Sequence, residues 1–447
     1  MTGPAAPIAE TAEEAAASPP WPSPRRAWWA VGVFCIGAIL SYSDRQILSL
    51  LVDPIRADLG LTDVQIGLLQ GAAFALIYAV AGLALGRAAD VLTRRWVIVA
   101  GVLTWSVATL ACGFAHSFAG LFVARAFVGV GEAALTPAAM SMIVDSFAAR
   151  RRGAGVGAFL MGMVIGGGVA LALGGFILQA AASGALKDLP ILGALAPWRT
   201  ALVLLGLLGL PVAALAATVA EPARRHMLGV GETRASFGQA ARGLYALRPT
   251  LAALYAAMGL SSLGDFAILA WAPTLLIRRF GLSAGEIGAV LGIMVIAGGV
   301  LGTFGAGLLA DRMVLRGGRP ARLTLAVWAM VLGALSTLFV VAPSPAFVYL
   351  LAGGWLLGST TGQSVGMTLL QEVVPGDARG LSVSLVSLIN VGLGLALGAA
   401  LPALLVEHLF HDPKSVGAAV TIVTLPCALA ALWLYRLALV AARRAAA

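Results

Sequence analysis

Charge is scarce in this sequence. Its 447 residues include 20 acidic and 29 basic side chains, 11% of the total, while 60% are hydrophobic. A soluble globular domain carries about 25% charged residues, so a chain this apolar belongs in a membrane. Cysteine occurs three times, as Cys35, Cys112 and Cys427, each inside an apolar run and without metal-ligand or redox spacing, which excludes a disulfide framework or a metal cluster built on thiols. The four histidines, His116, His226, His408 and His411, fall at the ends of apolar runs or between them. That placement disfavours an intramembrane enzyme, which needs a nucleophile with its base or clustered metal ligands. The glycine-rich "GVG" stretches lie inside apolar runs with no lysine following, so a nucleotide-phosphate loop is excluded too.

What the sequence has in abundance is long apolar runs. Twelve are about 20 residues or longer, enough for a helix rising about 1.5 Å per residue to cross a core of about 30 Å. Their approximate limits are 27–51, 64–86, 96–115, 119–144, 154–179, 198–220, 250–277, 286–309, 323–342, 346–372, 381–406 and 416–438. Residues 1–26, rich in Ala, Pro and Glu, read as a disordered tail rather than a cleaved signal, which would begin with basic residues. The net charge of +9 is distributed by side. With the N-terminus placed inside, 21 of the 29 basic residues fall on inner loops and tails and six on outer loops. The positive-inside rule then places both termini in the cytoplasm, and this distribution argues against a nucleic-acid partner.

The chain is also internally duplicated. A shift of 221 positions lays Asp44 on Asp265, "GLTDVQIG" at 60–67 on "GLSAGEIG" at 281–288, and "GRAADVLTRR" at 86–95 on "GLLADRMVLR" at 307–316. A six-residue insertion then brings Arg152-Gly153 onto Arg379-Gly380. The expected fold is an all-α membrane protein of twelve transmembrane helices in two six-helix pseudo-repeats. The expected division is a tail (1–26), an N-terminal bundle (27–220), a cytoplasmic linker (221–249), a C-terminal bundle (250–438) and a short cytoplasmic tail (439–447). Six crossings per repeat give both halves the same orientation, and such parallel repeats commonly rock around a midplane site.

The first apolar run contains "SYSDRQ", which sets Asp44 and Arg45 well inside the membrane; Arg125 and Glu132 follow in the fourth and Asp265 in the seventh. Each ionisable residue there costs at least about 2.5 kcal/mol, and such residues usually mark a solute or proton pathway. Asp44, Arg45, Arg125 and Glu132 sum to zero charge, which makes joint burial tolerable. Arg125 and Glu132 are seven residues apart and share a helix face. The tenth run supplies neutral hydrogen-bonding groups in "GSTTGQSVGMT", including Ser359, Thr360 and Gln363. The seventh adds Tyr255, Phe266 and Trp271 beside Asp265.

"GRAADVLTRR" and its copy resemble the loop between helices 2 and 3 of the major facilitator superfamily, and "RAFVGVGEAALTP" at 125–137 resembles that superfamily's fourth-helix motif. Together with "SYSDRQ" these look like its Spinster branch. The resemblance implies a secondary transporter with a cavity lined by helices 1, 4, 7 and 10, and an amphiphilic, lipid-like solute of the sphingosine-phosphate or lysophospholipid type. It implies proton coupling through Glu132, Asp44 or Asp265, and solute contacts from Arg45, Arg125, Tyr42, Tyr255, Phe266, Trp271, Ser359, Thr360 and Gln363. It also implies a cytoplasmic gate of Gly86, Asp90, Arg94, Arg95, Asp145 and Asp311. A proton-linked organic-anion or multidrug carrier is the alternative. No cofactor and no metal are expected; the expected partners are protons, membrane lipids and a small amphiphilic or anionic solute, for a monomer in a bacterial inner membrane.

Overall fold

The computed structural model describes residues 21–188, 190, 192–224, 244–245, 248–318, 320–374 and 378–446. Most of the expected N-terminal tail and of the linker lies outside these residues. The described chain is helical and contains no strand. Eleven helices are long and apolar enough to cross a membrane: α1 (Pro24–Leu50), α2 (Asp63–Val91), α3 (Arg94–Gly113), α4 (Phe118–Ser146), α5 (Arg150–Ala182), α6 (Pro197–Thr218), α7 (Leu251–Phe280), α8 (Ala284–Arg316), α9 (Ala321–Val341), α11 (Leu381–Phe410) and α12 (Pro413–Val440). The twelfth, α10 (Pro345–Val373), has 29 residues, ample to span, but its serines, threonines and glutamine make it more polar than the rest. Large apolar side chains such as Leu83, Phe176, Leu315 and Trp328 are exposed, as lipid-facing positions require.

The duplicated "GL-x-x-x-x-IG" stretch has a structural meaning. Gly60 and Gly281 take left-handed backbone at φ +64° and +68°, which glycine adopts without a Cβ penalty. Thr62 with Gln65, and Ser283 with Glu286, then form capping boxes that start α2 and α8. Each repeat thus ends one helix and begins the next with the same chemistry. Ser117 and Ser344, 227 positions apart, likewise cap α4 and α10.

Several crossings are not continuous α-helix. Gly71 interrupts α2 at φ −107° and ψ −82°, and a turn at Ala133–Ala134 separates Phe118–Glu132 from Leu135–Ser146 in α4. π-Helical stretches occur at Leu301–Gly305 in α8 and at Asn390–Leu395 and Leu405–Phe410 in α11.

The halves meet over the end of the molecule remote from both termini, here called the far side. A Cβ built on Gly67 or Gly71 would come within 2.8 Å or 2.7 Å of α11 carbonyls. Gly168 and Gly175 of α5 pack as closely on Gly292 and Gly288 of α8. Toward the terminal, basic side the crowding disappears: Gly82 and Gly86 of α2, Gly153 and Gly157 of α5, and Gly305 and Gly307 of α8 all face open space. The bundle is closed on the far side and splayed on the basic side. Gly86, expected in the cytoplasmic gate, makes no close helix approach here, because its end of the bundle is open.

Candidate functional site

The four charges of α1 and α4 come together in the N-terminal half. Arg45 Nε donates to Glu132 Oε2 at 2.7 Å, and Ser41 Oγ donates to the same oxygen at 2.6 Å. The Arg45 guanidinium lies 5.3, 4.6 and 4.9 Å from the ring centres of Tyr42, Phe74 and Tyr78, so three aromatic faces fix its plane. Its side chain is 18% exposed, whereas that of Glu132 is fully buried. Arg125 is directed elsewhere than its spacing suggests: its Nη1 donates to the backbone oxygen of Asp44 at 3.1 Å, and its guanidinium stands 5.8 Å from Phe74. Thr109 of α3 donates to Asp44 Oδ1 at 2.9 Å. Three buried atoms of the cluster, Asp44 Oδ2, Glu132 Oε1 and Arg125 Nε, have no hydrogen-bond partner. Such half-satisfied buried charge suits a site whose protonation or ligation changes, since a static core would be costly in this form.

In the C-terminal half one acid, Asp265, stands away from the helix ends among the described residues. Asp265 Oδ1 accepts from Trp355 Nε1 and Oδ2 from Gln363 Nε2, both at 2.8 Å, and Asn390 Nδ2 donates to Gln363 Oε1 at 3.3 Å. Tyr255 and Ser382 share a hydrogen bond of 2.7 Å, and Thr360 donates to the Gly298 carbonyl of α8 at 3.1 Å. Phe266 is half-buried beside Gly398. Trp271 and Ser359, expected to contact solute, are fully buried instead. Trp271 Nε1 bonds the Ala399 carbonyl at 2.8 Å and so serves helix packing in this conformation, whereas Ser359, with its Oγ 3.3 Å from the Leu356 carbonyl, is also a neutral hydrogen-bond partner of Asp265.

At the basic side Arg94 is buried and holds Asp145, the Glu221 carboxylate at 2.8 Å, Ser141 at 2.9 Å and the Pro222 carbonyl at 2.8 Å. Arg95 does not join it through its side chain, which reaches the Val219 carbonyl and stacks on Trp96. Asp90 is exposed, 3.7 Å from Arg87, and is not brought to Arg94. The counterpart in the other half is Arg322, paired with Glu372 and, at 3.1 Å, with Asp311. Arg322 and Glu372 lie 228 and 227 positions beyond Arg94 and Asp145, so the ion pair itself is duplicated. None of these contacts crosses between the halves, and those of Arg94 to Glu221 and Pro222 tie the N-terminal half to the start of the linker.

The far side is different, because beside the Arg199–Asp58 and Arg56–Asp63 pairs within the N-terminal half it also has ion pairs that cross between halves. Arg278 of α7 bonds Asp63 through two nitrogens at 2.9 and 2.7 Å and Asp53 at 2.8 Å. In return Glu407 of α11 accepts the Val64 amide at 3.0 Å, an acid at the start of α2. Sequence reasoning missed Asp53, Asp63, Arg278 and Glu407, which look like ordinary loop charges. The repeated "GL-x-x-x-x-IG" landmark beside Asp63 was the available signal.

Comparison with known proteins agrees with this geometry. The model of the Major Facilitator Superfamily matches residues 34–327 and 254–446. The chain belongs to that superfamily. As a member it is a multi-pass membrane transporter of small solutes, and its family and fold are those of transporters rather than enzymes. It is 31% identical over 397 residues to an MFS-type efflux pump of Mycolicibacterium smegmatis, covering 87% of this chain and 86% of that one. It is 28% identical over 205 residues to Protein spinster of Drosophila melanogaster, covering 46% of this chain and 31% of that protein. Among solved structures, a bacterial homologue of the human lysosomal transporter Spinster, inward-facing and unoccupied, superposes with a TM-score of 0.75 at 24% identity over 93% of this superfamily member and 96% of that chain.

Proposed function

We propose that this transporter is a proton-coupled, alternating-access carrier for an amphiphile with an anionic head. The observation that carries the reading is Arg45. Its Nε is held by buried Glu132, its plane is set by three aromatic rings, and its side chain keeps access to the open cavity. A carboxylate or phosphate head is the natural partner for the remaining guanidinium donors. Tyr255, Phe266 and the hydroxyl-bearing face of α10 offer the opposite wall to an apolar tail.

Coupling follows from competition. Arg45 is the counter-charge of buried Glu132; an anionic solute that takes Arg45 leaves that carboxylate unpaired, and a proton is the charge that replaces the lost partner. Glu132 is the first proton carrier and Asp44, with its own orphan oxygen, the second; Asp265 is the third candidate. A proton crossing 100 mV supplies about 2.3 kcal/mol, and each pH unit about 1.4 kcal/mol. The proposed orientation places the basic side in the cytoplasm with both termini, in a bacterial inner membrane, the halves 27–220 and 250–438 rocking as units of a monomer. Asp90, Arg94, Arg95, Asp145, Asp311 and Gly86 close the basic side when the far side opens.

An organic-anion or multidrug carrier is the second reading, favoured by the near full-length similarity to an efflux pump. The deciding measurement is uptake into proteoliposomes of a lysophospholipid and of a small dicarboxylate, with and without an imposed pH gradient. Gradient-driven uptake of lysophospholipid alone supports the first reading, and dicarboxylate uptake the second. Uptake indifferent to the gradient removes proton coupling.

A further inference from the structure

Five ionisable side chains stand away from the ends of the membrane-crossing helices: Asp44, Arg45, Arg125, Glu132 and Asp265. Asp44, Arg125 and Glu132 are each 1% exposed, whereas Arg45 and Asp265 are only partly buried. Part-exposed polar groups at this depth face a cavity, because lipid would not tolerate them. The cavity therefore presents a cation on α1 and an anion on α7, and these two helices pack against each other.

The two walls are unequal in charge. The N-terminal cluster is neutral, but among the described residues no basic side chain lies within 4.0 Å of Asp265, and both its oxygens accept from neutral donors only. The duplication shows what is absent. Asp265 is the counterpart of Asp44, while the position of Arg45 is taken by Phe266 and, in the 227-residue register that relates the capping serines, that of Arg125 by Ala352. The C-terminal half has kept the acid without either arginine. Linked to it through Gln363, Asn390, at the start of the first π-helical stretch of α11, donates to Gln363 through its amide nitrogen and leaves its own buried Oδ1 without a partner. A proton would neutralise Asp265 but would leave the Asn390 acceptor unsatisfied. A group with both positive charge and several N–H donors answers both.

We propose that Asp265 and Asn390 form a subsite for an organic ammonium, so that the cavity accepts a solute bearing an amine on its C-terminal wall. The proposal rests on the transport reading only in taking this cavity as the solute's path. The test is a fluorescence titration of the full-length protein in nanodiscs with dansylcadaverine, a primary ammonium on an apolar fluorophore, against its neutral N-acetyl derivative. Native protein should bind the amine about tenfold more tightly than the acetylated form, the value of one charge-assisted hydrogen bond. Asp265→Asn should erase that preference, Asp265→Glu should keep it, and Asn390→Ala should reduce it about threefold or more. A native protein without the preference, or an unchanged preference in Asp265→Asn, overturns the subsite. Should Asp265→Asn fail to fold, Asn390→Ala decides: a reduced preference supports the assignment and a native-strength one overturns it. Failure of lysophospholipid uptake would refute the transport reading while leaving this binding result standing.

Discussion

Arg45 is held in a way that a lysine would not reproduce. A guanidinium can lie flat among Tyr42, Phe74 and Tyr78 while its Nε reaches Glu132; an ammonium is a hydrated point charge with no plane to stack. Arg45→Lys should therefore lower the initial rate of solute uptake about tenfold although charge is conserved, the loss expected for one charge-assisted hydrogen bond. Native rates in that variant would exclude planar recognition. Glu132→Gln, neutral in every state, should abolish accumulation driven by a pH gradient while sparing solute exchange at equal pH. Retained accumulation moves coupling to Asp44 or Asp265. The four charges are legible in the sequence because no other Asp, Glu, Lys or Arg stands inside those two apolar runs. Their pairing is not: Arg125 and Glu132 share a helix face, yet Glu132 turns to Arg45 and Ser41, and Arg125 to the Asp44 carbonyl. Phe74 and Tyr78 were illegible, since an aromatic ring in a membrane helix looks the same whether it packs, meets lipid or cages a cation.

Among the helices, the breaks are where function and packing meet. Gly129 and Pro137 around Glu132 suggest a bend, and α4 does break at Ala133–Ala134, directly after the carboxylate. Pro137, the third residue of the next helical segment, has no N–H to donate back across that turn. The break in α2 at Gly71 carries no such signal, because glycine is common throughout this chain and its role depends on α11, more than 300 residues away. The π-helical stretches of α8 and α11 are likewise invisible without their neighbours. Gly71 gives a directional test. A side chain there would run into the Leu395 and Ala396 carbonyls, 2.7 and 2.9 Å from the Cβ position, and backbone cannot swing aside. Gly71→Leu should fold, because either half keeps its own core, but should lose the far-side closure. Accessibility of a cysteine at Thr62 to a membrane-impermeant maleimide added from the far side should rise; unchanged labelling would show that α2 and α11 separate without consequence.

At the scale of the whole molecule, the two ends are latched by different logic. The far side is joined by ion pairs that cross the halves, whereas the basic-side clusters around Arg94 and Arg322 each brace one half. The twelve-helix duplicated architecture could be read from apolar runs and recurring motifs, but which end is shut is a property of how the halves sit, and no local pattern encodes it. Two substitutions should move the equilibrium in opposite directions. Asp63 is buried and bonds Arg278 through both oxygens, so Asp63→Asn removes a contact present only in the far-closed state. Breaking a buried pair costs about 3–5 kcal/mol. Asp53 still compensates Arg278, and a net loss of about 1.4 kcal/mol, tenfold in population, is the reasonable expectation. Among the described residues the exposed Asp90 carboxylate pairs only with Arg87, one turn away on its own helix, while Arg224 donates to the Asp90 backbone carbonyl, so Asp90→Asn should leave this state untouched. In the proposed gate its charge acts in the alternative state, where closing the basic side would bring it against the opposite half; on that reading the substitution should favour the conformation described. Spin labels at positions 116 and 343 report the far side and at 92 and 315 the basic side, in a background with Cys35, Cys112 and Cys427 replaced. Asp63→Asn should lengthen the first distance and shorten the second, and Asp90→Asn should enrich the short far-side and long basic-side distances. Shifts of the same sign in both variants would mean that the two ends are not alternatives, and the rocking of two halves about Arg45 and Asp265 would have to be abandoned.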